Sequence, residues 1–203
     1  MKFITILLFC SITLIGCGTL DPIATPEIQH YAVQINSLNV THCNYKTNLS
    51  LQILPTLAEA PYNSYNMYYS KNEYLLDSYS YSQWAVLPQN TVNQSIWQTA
   101  IDSCLFKNVF STDVIVKPKY QLYSKIIKLQ QTIRNNNSNM TFSVMVQLID
   151  TEHNQIINSK FFNESSIIKT SPDGMVDGMS YDLQQFSKNL HNWLNSQKAN
   201  IVN

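Results

Sequence analysis

The sequence predicts an α+β fold: a single two-layer domain, mainly antiparallel sheet, with two amphipathic helices on one face. Three observations carry this. Between Met140 and Ile149, Phe142, Val144, Val146 and Leu148 alternate with Thr141, Ser143, Met145 and Gln147, the period of a half-buried strand. From Val92 onward the apolar residues Val92, Ile96, Trp97, Ala100, Ile101, Cys104 and Leu105 fall in one stripe of a 3.6-residue helix. Met175, Met179, Leu183, Phe186, Leu190 and Trp193 repeat that spacing near the end of the chain. Each helix has one apolar stripe only, so both can lie on the same face of one sheet.

The chain opens with a leader. Residues 1–16 hold one lysine, Lys2, and an apolar run from Phe3 to Ile15 interrupted by Thr5, Ser11 and Thr13. A membrane span needs about 20 apolar residues, so this run reads as a signal peptide. It ends Leu14-Ile15-Gly16-Cys17, a bacterial lipobox, in which the Cys17 thiol takes a diacylglyceryl group and the cut falls before it. Two or more acyl chains anchor a protein stably where one is marginal. Gly18 and Thr19 follow Cys17 rather than an aspartate, which by analogy with enterobacterial sorting favours the outer membrane, facing the periplasm. Residues 17–29, with Pro22 and Pro26 and no period, read as lipidated cysteine and tether. Residues 30–203 form the domain.

The elements follow in order. His30–Leu38 (Tyr31, Val33, Ile35) alternates as a strand, and Leu49, Leu51 and Ile53 alternate again before Pro55. These two are expected to be sheet neighbours. Thr56–Asn66, with Pro61, is a loop. Tyr74–Trp84 alternates Tyr79, Tyr81 and Gln83 with Ser78, Ser80, Ser82 and Trp84. Pro88 then suits the first turn of a helix, where its missing N–H costs nothing. In that helix Asn93, Gln94, Gln98, Asp102 and Ser103 lie off the stripe. Tyr120–Leu129 returns as a strand, and Arg134–Asn139 is a loop between antiparallel strands. Asp150–Gln155 is a polar turn to Ile156–Phe162, and Ser171-Pro172-Asp173-Gly174 marks the break before the last helix.

Composition narrows the chemistry. Thirteen basic and 13 acidic residues balance, and losing Lys2 with the leader leaves 12 against 13. That balance is no electrostatic footprint for nucleic acid. The four glycines are Gly16, Gly18, Gly174 and Gly178, so no phosphate-cradling loop exists and no nucleotide is expected. His30, His42, His153 and His191 have no metal-type spacing, and no nucleophile elbow or HExxH occurs. Neither a catalytic residue, a metal nor a cofactor is expected, and the chain reads as a non-enzyme.

Two residue types stand out. With Cys10 in the leader and Cys17 acylated, Cys43 and Cys104 are the thiols left. In an oxidising periplasm such a pair often bonds, whereas Cys104 on the helical stripe serves equally as a small hydrophobe. Both readings stay open. The tyrosines are dense from Tyr62 to Tyr81. Tyrosine fits a pleated, half-buried surface, and it also suits interfaces with one apolar and one wet end. Tyr68, Tyr79 and Tyr81 are the candidates for a partner interface.

A tyrosine-rich strand, Trp84, Pro88, a helix ending in Leu105-Phe106, then Phe110 and a β-rich return strand resemble the ABC-type transport auxiliary lipoprotein family, over about His30 to Leu194. The resemblance implies a periplasm-facing lipoprotein of an MCE-type lipid-transport system, Mla-like or paraquat-inducible, docked on a periplasmic MCE-domain partner. A separate subunit would hydrolyse ATP. The alternative is a lipoprotein that assembles or chaperones another envelope complex. The sequence leaves a homo-oligomer open.

Overall fold

A computed structural model describes residues 26–35, 43, 48–135 and 137–202. The leader and Cys17 lie outside them.

The spine of the molecule is β7 (Tyr120–Arg134), a 15-residue strand. One of its edges carries β8 (Asn137–Asp150), antiparallel along the whole length from Tyr120↔Asp150 to Arg134↔Asn137, with one bulge between Ile126 and Lys128. β9 (Gln155–Ile168) continues the meander on β8. The other edge receives three short strands in succession, all parallel to β7. They are β2 (Ser50–Ile53) at Tyr120–Leu122, β3 (Leu57–Ala58) at Lys125–Ile126, and β4 (Asn66–Ser70) at Gln131–Thr132. β5 (Leu76–Trp84) is antiparallel to β4, and β1 (Gln29–Tyr31) is parallel to β5. β6 (Asn108–Phe110) adds to the free side of β2. The sheet is mixed and open, and its longest pairings are antiparallel.

Two helices cover it. Helix α1 (Pro88–Asp102) packs on β2, β3, β6 and β7, while α2 (Pro172–Ser196) packs on β8 and β9, and the two touch each other. Proline opens both, as its fixed φ and missing N–H allow at a first turn. Ser171 caps α2 by accepting from the Gly174 N–H at 3.0 Å. Gly178 lets α2 settle close to the meander: a Cβ there would stand 2.6 Å from Ile168 Cγ2 and 2.9 Å from Met140 Cβ. A short helix α3 (Lys198–Val202) closes the chain, with Tyr120 Oη donating to the Ile201 carbonyl at 2.9 Å. The core lies between helices and sheet: Val92, Ile96 and Ala100 from α1, Met175, Leu183 and Phe186 from α2, and Ile126, Phe142 and Val144 below them. Phe186 stands edge-on to both Phe142 and Phe162.

Several expectations need correction. The strand expected over His30–Leu38 is regular only at Gln29–Tyr31 and pairs with β5, not with the strand at Leu51; residues 36–38 lie outside the described ones. β5 starts at Leu76, leaving Tyr74 and Leu75 in the turn, and a register shift opposite Asn66/Tyr68 breaks its alternation. Helix α1 ends at Asp102, so Leu105 and Phe106 are buried just beyond it, and Cys104 takes a positive φ of 53° there. Its buried face is also rotated. Trp97 is 40% exposed, while Thr91, Ser95, Thr99, Asp102 and Ser103 are buried. The cause is the neighbouring helix: Ser95 Oγ meets Ser187 Oγ at 2.8 Å, so a hydroxyl-lined seam occupies the flank that a purely apolar count overlooks. The loop expected at Arg134–Asn139 is a tight hairpin, with Asn135 at φ 45° and pairing resuming at Asn137. Thr56–Asn66, expected as a loop, holds β3 and the first residue of β4, because the edge of β7 pairs with segments too short to show a period of their own.

Candidate functional site

A tyrosine of the loop before β4 and one of β5 hydrogen-bond two adjacent glutamines of β7, Gln130 and Gln131, which point to opposite faces of the strand. Tyr62, in the loop before β4, donates to Gln130 Oε1 at 2.6 Å and meets Tyr68 edge-on at 6.0 Å. Tyr68 Oη accepts from Asn66 Nδ2 at 3.2 Å and lies the same distance from Ser64 Oγ. On the other face, Tyr79 donates to Gln131 Oε1 at 2.6 Å and packs against Tyr69 at 4.9 Å. Gln131 is fully buried and donates onward to Ser138 Oγ and to the Lys169 carbonyl, tying β7 to the entry of α2. Tyr69 donates to Asp77.

Burial raises the Tyr62 phenol above its ordinary range, with Glu59 adding to it. Burial does the same to Tyr69, reinforced by its bond to Asp77, and to Tyr79, reinforced by Tyr69. All three stay protonated donors at neutral pH.

The three tyrosines singled out in the sequence therefore do not share a surface. Tyr68 and Tyr79 are half-buried on opposite faces and engaged in hydrogen bonds. Tyr81 is 53% exposed and is the one that presents a ring to solvent. What sequence reading missed is the glutamine pair. Two amides inside an apolar alternation are a signal, since a buried Gln needs partners for both of its ends.

The structure joins Cys43 to Cys104, with Cα atoms 5.2 Å apart, across 61 residues. This places the bond between the stretch before β2 and the turn after α1. Beneath α2, Asp182 is fully buried, with both carboxylate oxygens and the neighbouring Ser166 Oγ lacking well-formed hydrogen bonds. Burial pushes the Asp182 carboxyl up to about 6, against a lowering contribution from Ser166 and with Glu164 adding to the rise.

Two open grooves lie on the surface, one of about 570 Å³ between residues 165–169 and the first turns of α2, and one of about 400 Å³ between residues 71–74 and 133–135. A more enclosed cavity of about 100 Å³ lies between β1 and α1, lined by Tyr31, Val33, Ile35, Trp84, Leu129 and Met179. It is smaller than the roughly 150 Å³ that holds a benzene ring, and far short of an acyl chain. Among the described residues, no group of three His, Cys, Asp or Glu side chains is placed to hold a metal, and no helix is long and apolar enough to cross a membrane.

No family model and no curated protein matches the chain. Solved structures do. A Xanthomonas campestris protein of the family model DUF330 superposes with a TM-score of 0.73 at 15% identity, covering 85% of this chain and 99% of that one. An uncharacterized protein gives 0.58 at 10% identity over 82% and 99%. The hypothetical protein CT253 from Chlamydia trachomatis gives 0.50 at 11% identity over 77% and 100%. What is shared at these identities is the fold.

Proposed function

We propose that this chain is a non-enzymatic auxiliary lipoprotein of an MCE-type ABC lipid-transport system. It is acylated at Cys17, held in the outer membrane facing the periplasm, and docks on a periplasmic MCE-domain partner. The observation that carries the reading is the run Leu14-Ile15-Gly16-Cys17 placed just ahead of the domain, whose first described residue is Pro26. The family resemblance supplies the partner, and the likeness to the Xanthomonas fold is compatible with it.

Two measurements test this. Cys17→Ala should abolish incorporation of a clickable fatty acid, and a variant that still takes label would overturn the anchor. In pull-downs from envelope membranes, Tyr81→Ala should weaken capture of the MCE-domain protein, as loss of an interfacial aromatic costs roughly 2 kcal/mol or more. Its melting temperature should stay near wild type. Tyr79→Ala should show the reverse pairing, early melting with capture retained when folded, because its ring and hydroxyl are engaged inside. Undiminished capture by Tyr81→Ala would remove that ring from the interface.

A further inference from the structure

The turn between β4 and β5 ends in three consecutive exposed apolar side chains. Tyr74 is 96% exposed, Leu75 52% and Leu76 38%. An exposed apolar run of this kind calls for a covering partner. The tip is a built structure. Asn72 Oδ1 accepts from the backbone N–H groups of both Tyr74 and Leu75, at 3.0 and 2.8 Å, and Ser70 Oγ donates to the Asn72 carbonyl. Those two amides are thus already paired, which lowers the cost of pushing the turn toward a medium without water. Lys71 and Arg134 flank the tip and are balanced by two carboxylates, Glu73 beside Arg134 at 3.7 Å and Asp77, which accepts from the Tyr69 hydroxyl while Lys71 lies over the same ring, so the base of the tip carries no net charge. An apolar tip of one aromatic and two aliphatic side chains, with two of its amides paired and a charge-balanced base, fits the interfacial region of a bilayer.

The position of the tether selects this tip over its rival. Val114, Ile115 and Val116, before β7, are also exposed, Ile115 fully so. The two tips lie at opposite ends of β7, about 45 Å apart along a 15-residue strand. β1 runs parallel to β5 with Gln29 opposite Ser82, so the chain enters β1 from the end of the sheet where Tyr74 lies. Nine peptide units separate Cys17 from Pro26, a reach of at most about 30 Å. Seating the far tip on the lipid would stretch that tether almost to its limit, where chain entropy opposes it most. Seating the near tip needs little of it.

We infer that Tyr74-Leu75-Leu76 is a second attachment to lipid, seated on the leaflet that holds the acyl chains of Cys17. The inference rests on acylation of Cys17. It orients the domain with the β4–β5 turn down and the Ile115 loop pointing away from the membrane.

The test uses the mature, lipidated protein in vesicles of phosphatidylethanolamine and phosphatidylglycerol. A nitrobenzoxadiazole probe is placed on Leu75→Cys or, in a second preparation, on Ile115→Cys. The probe at 75 should shift to the blue and be quenched several-fold by doxyl-labelled lipid, while the probe at 115 should behave as in buffer. Adding Tyr74→Asp to Leu75→Cys should abolish the quenching without moving the melting temperature. A fully aqueous probe at 75, quenching at 115 instead, or quenching at 75 that survives Tyr74→Asp would each overturn the proposal. Co-flotation of the protein with the vesicles in every case separates these outcomes from a failure of the anchor, which would leave the protein unlabelled by fatty acid and free of the vesicles.

Discussion

The two edges of β7 are built in opposite ways. On one, β8 and β9 follow directly in sequence through short turns and pair with their neighbour over nearly their whole lengths. On the other, β2, β3 and β4 arrive from far upstream, each contributing two or three paired residues. A hairpin closes a small loop and gains a ladder of hydrogen bonds at once. A parallel joint must close a long loop before it gains anything. The assembled edge therefore leans on other devices: helix α1 laid across it, the side-chain bonds of Asn93 to the Leu54 carbonyl and Thr56, and the bridge from Cys43 to Cys104. The meander should be the sturdier half, and the assembled edge the half that opens first.

The largest test of that contrast is Phe142→Ala. Its ring is fully buried under Phe186, and truncation should cost about 3–5 kcal/mol in a denaturant melt. Hydrogen exchange should accelerate across the whole sheet, because the spine loses its partner. Cys104→Ser comes next, at about 2–4 kcal/mol for freeing so long a loop. Here exchange should rise in β2 and β6 while β7, β8 and β9 stay protected. A uniform rise in both variants would erase the distinction between the edges.

Asp182 gives the smallest effect and the one with a pH signature. Its folded carboxyl, at about 6, lies above the ordinary 3.8, so the folded state holds the proton more tightly than the unfolded chain. That contribution is fully present below the ordinary value and is lost as pH rises through about 6. Wild type should lose on the order of 2 kcal/mol between about pH 4 and pH 7 from this group, and Asp182→Asn should flatten that slope. An unchanged slope would show that the carboxyl is not the source.

The same contrast explains what the sequence disclosed. The strand at Met140–Ile149, its partner after Asp150 and the helix from Met175 were legible because local periodicity encodes them. So was α1, from Pro88 and Val92, but not which of its flanks is buried, since Ser95 meets a second helix and the buried Thr99 bonds back to the Ser95 carbonyl, and both look polar in isolation. β3, β4 and β6 are too short to show a period, and their register comes from β7 rather than from themselves. At the candidate site, the tyrosines were conspicuous by number. Their division between two faces was not, because it depends on the register shift in β5 and on the glutamines that receive them. Asp182 stands three residues after Met179 and four before Phe186, on the flank of the apolar stripe of α2, and a lone carboxylate at that spacing was a legible signal of a buried acid.

The claim that ties fold to function is that the partner meets the assembled edge rather than the meander. Tyr81 on β5 and Phe161 on β9 are similarly exposed, at 53% and 59%, and stand on opposite sides of β7. A photo-crosslinking amino acid placed at each position in the lipidated protein, in cells that carry the transport system, compares them directly. If the proposed partner docks on that edge, a crosslink to the MCE-domain protein is expected from position 81 and none from position 161. A crosslink from 161 alone, or none from either, would contradict it.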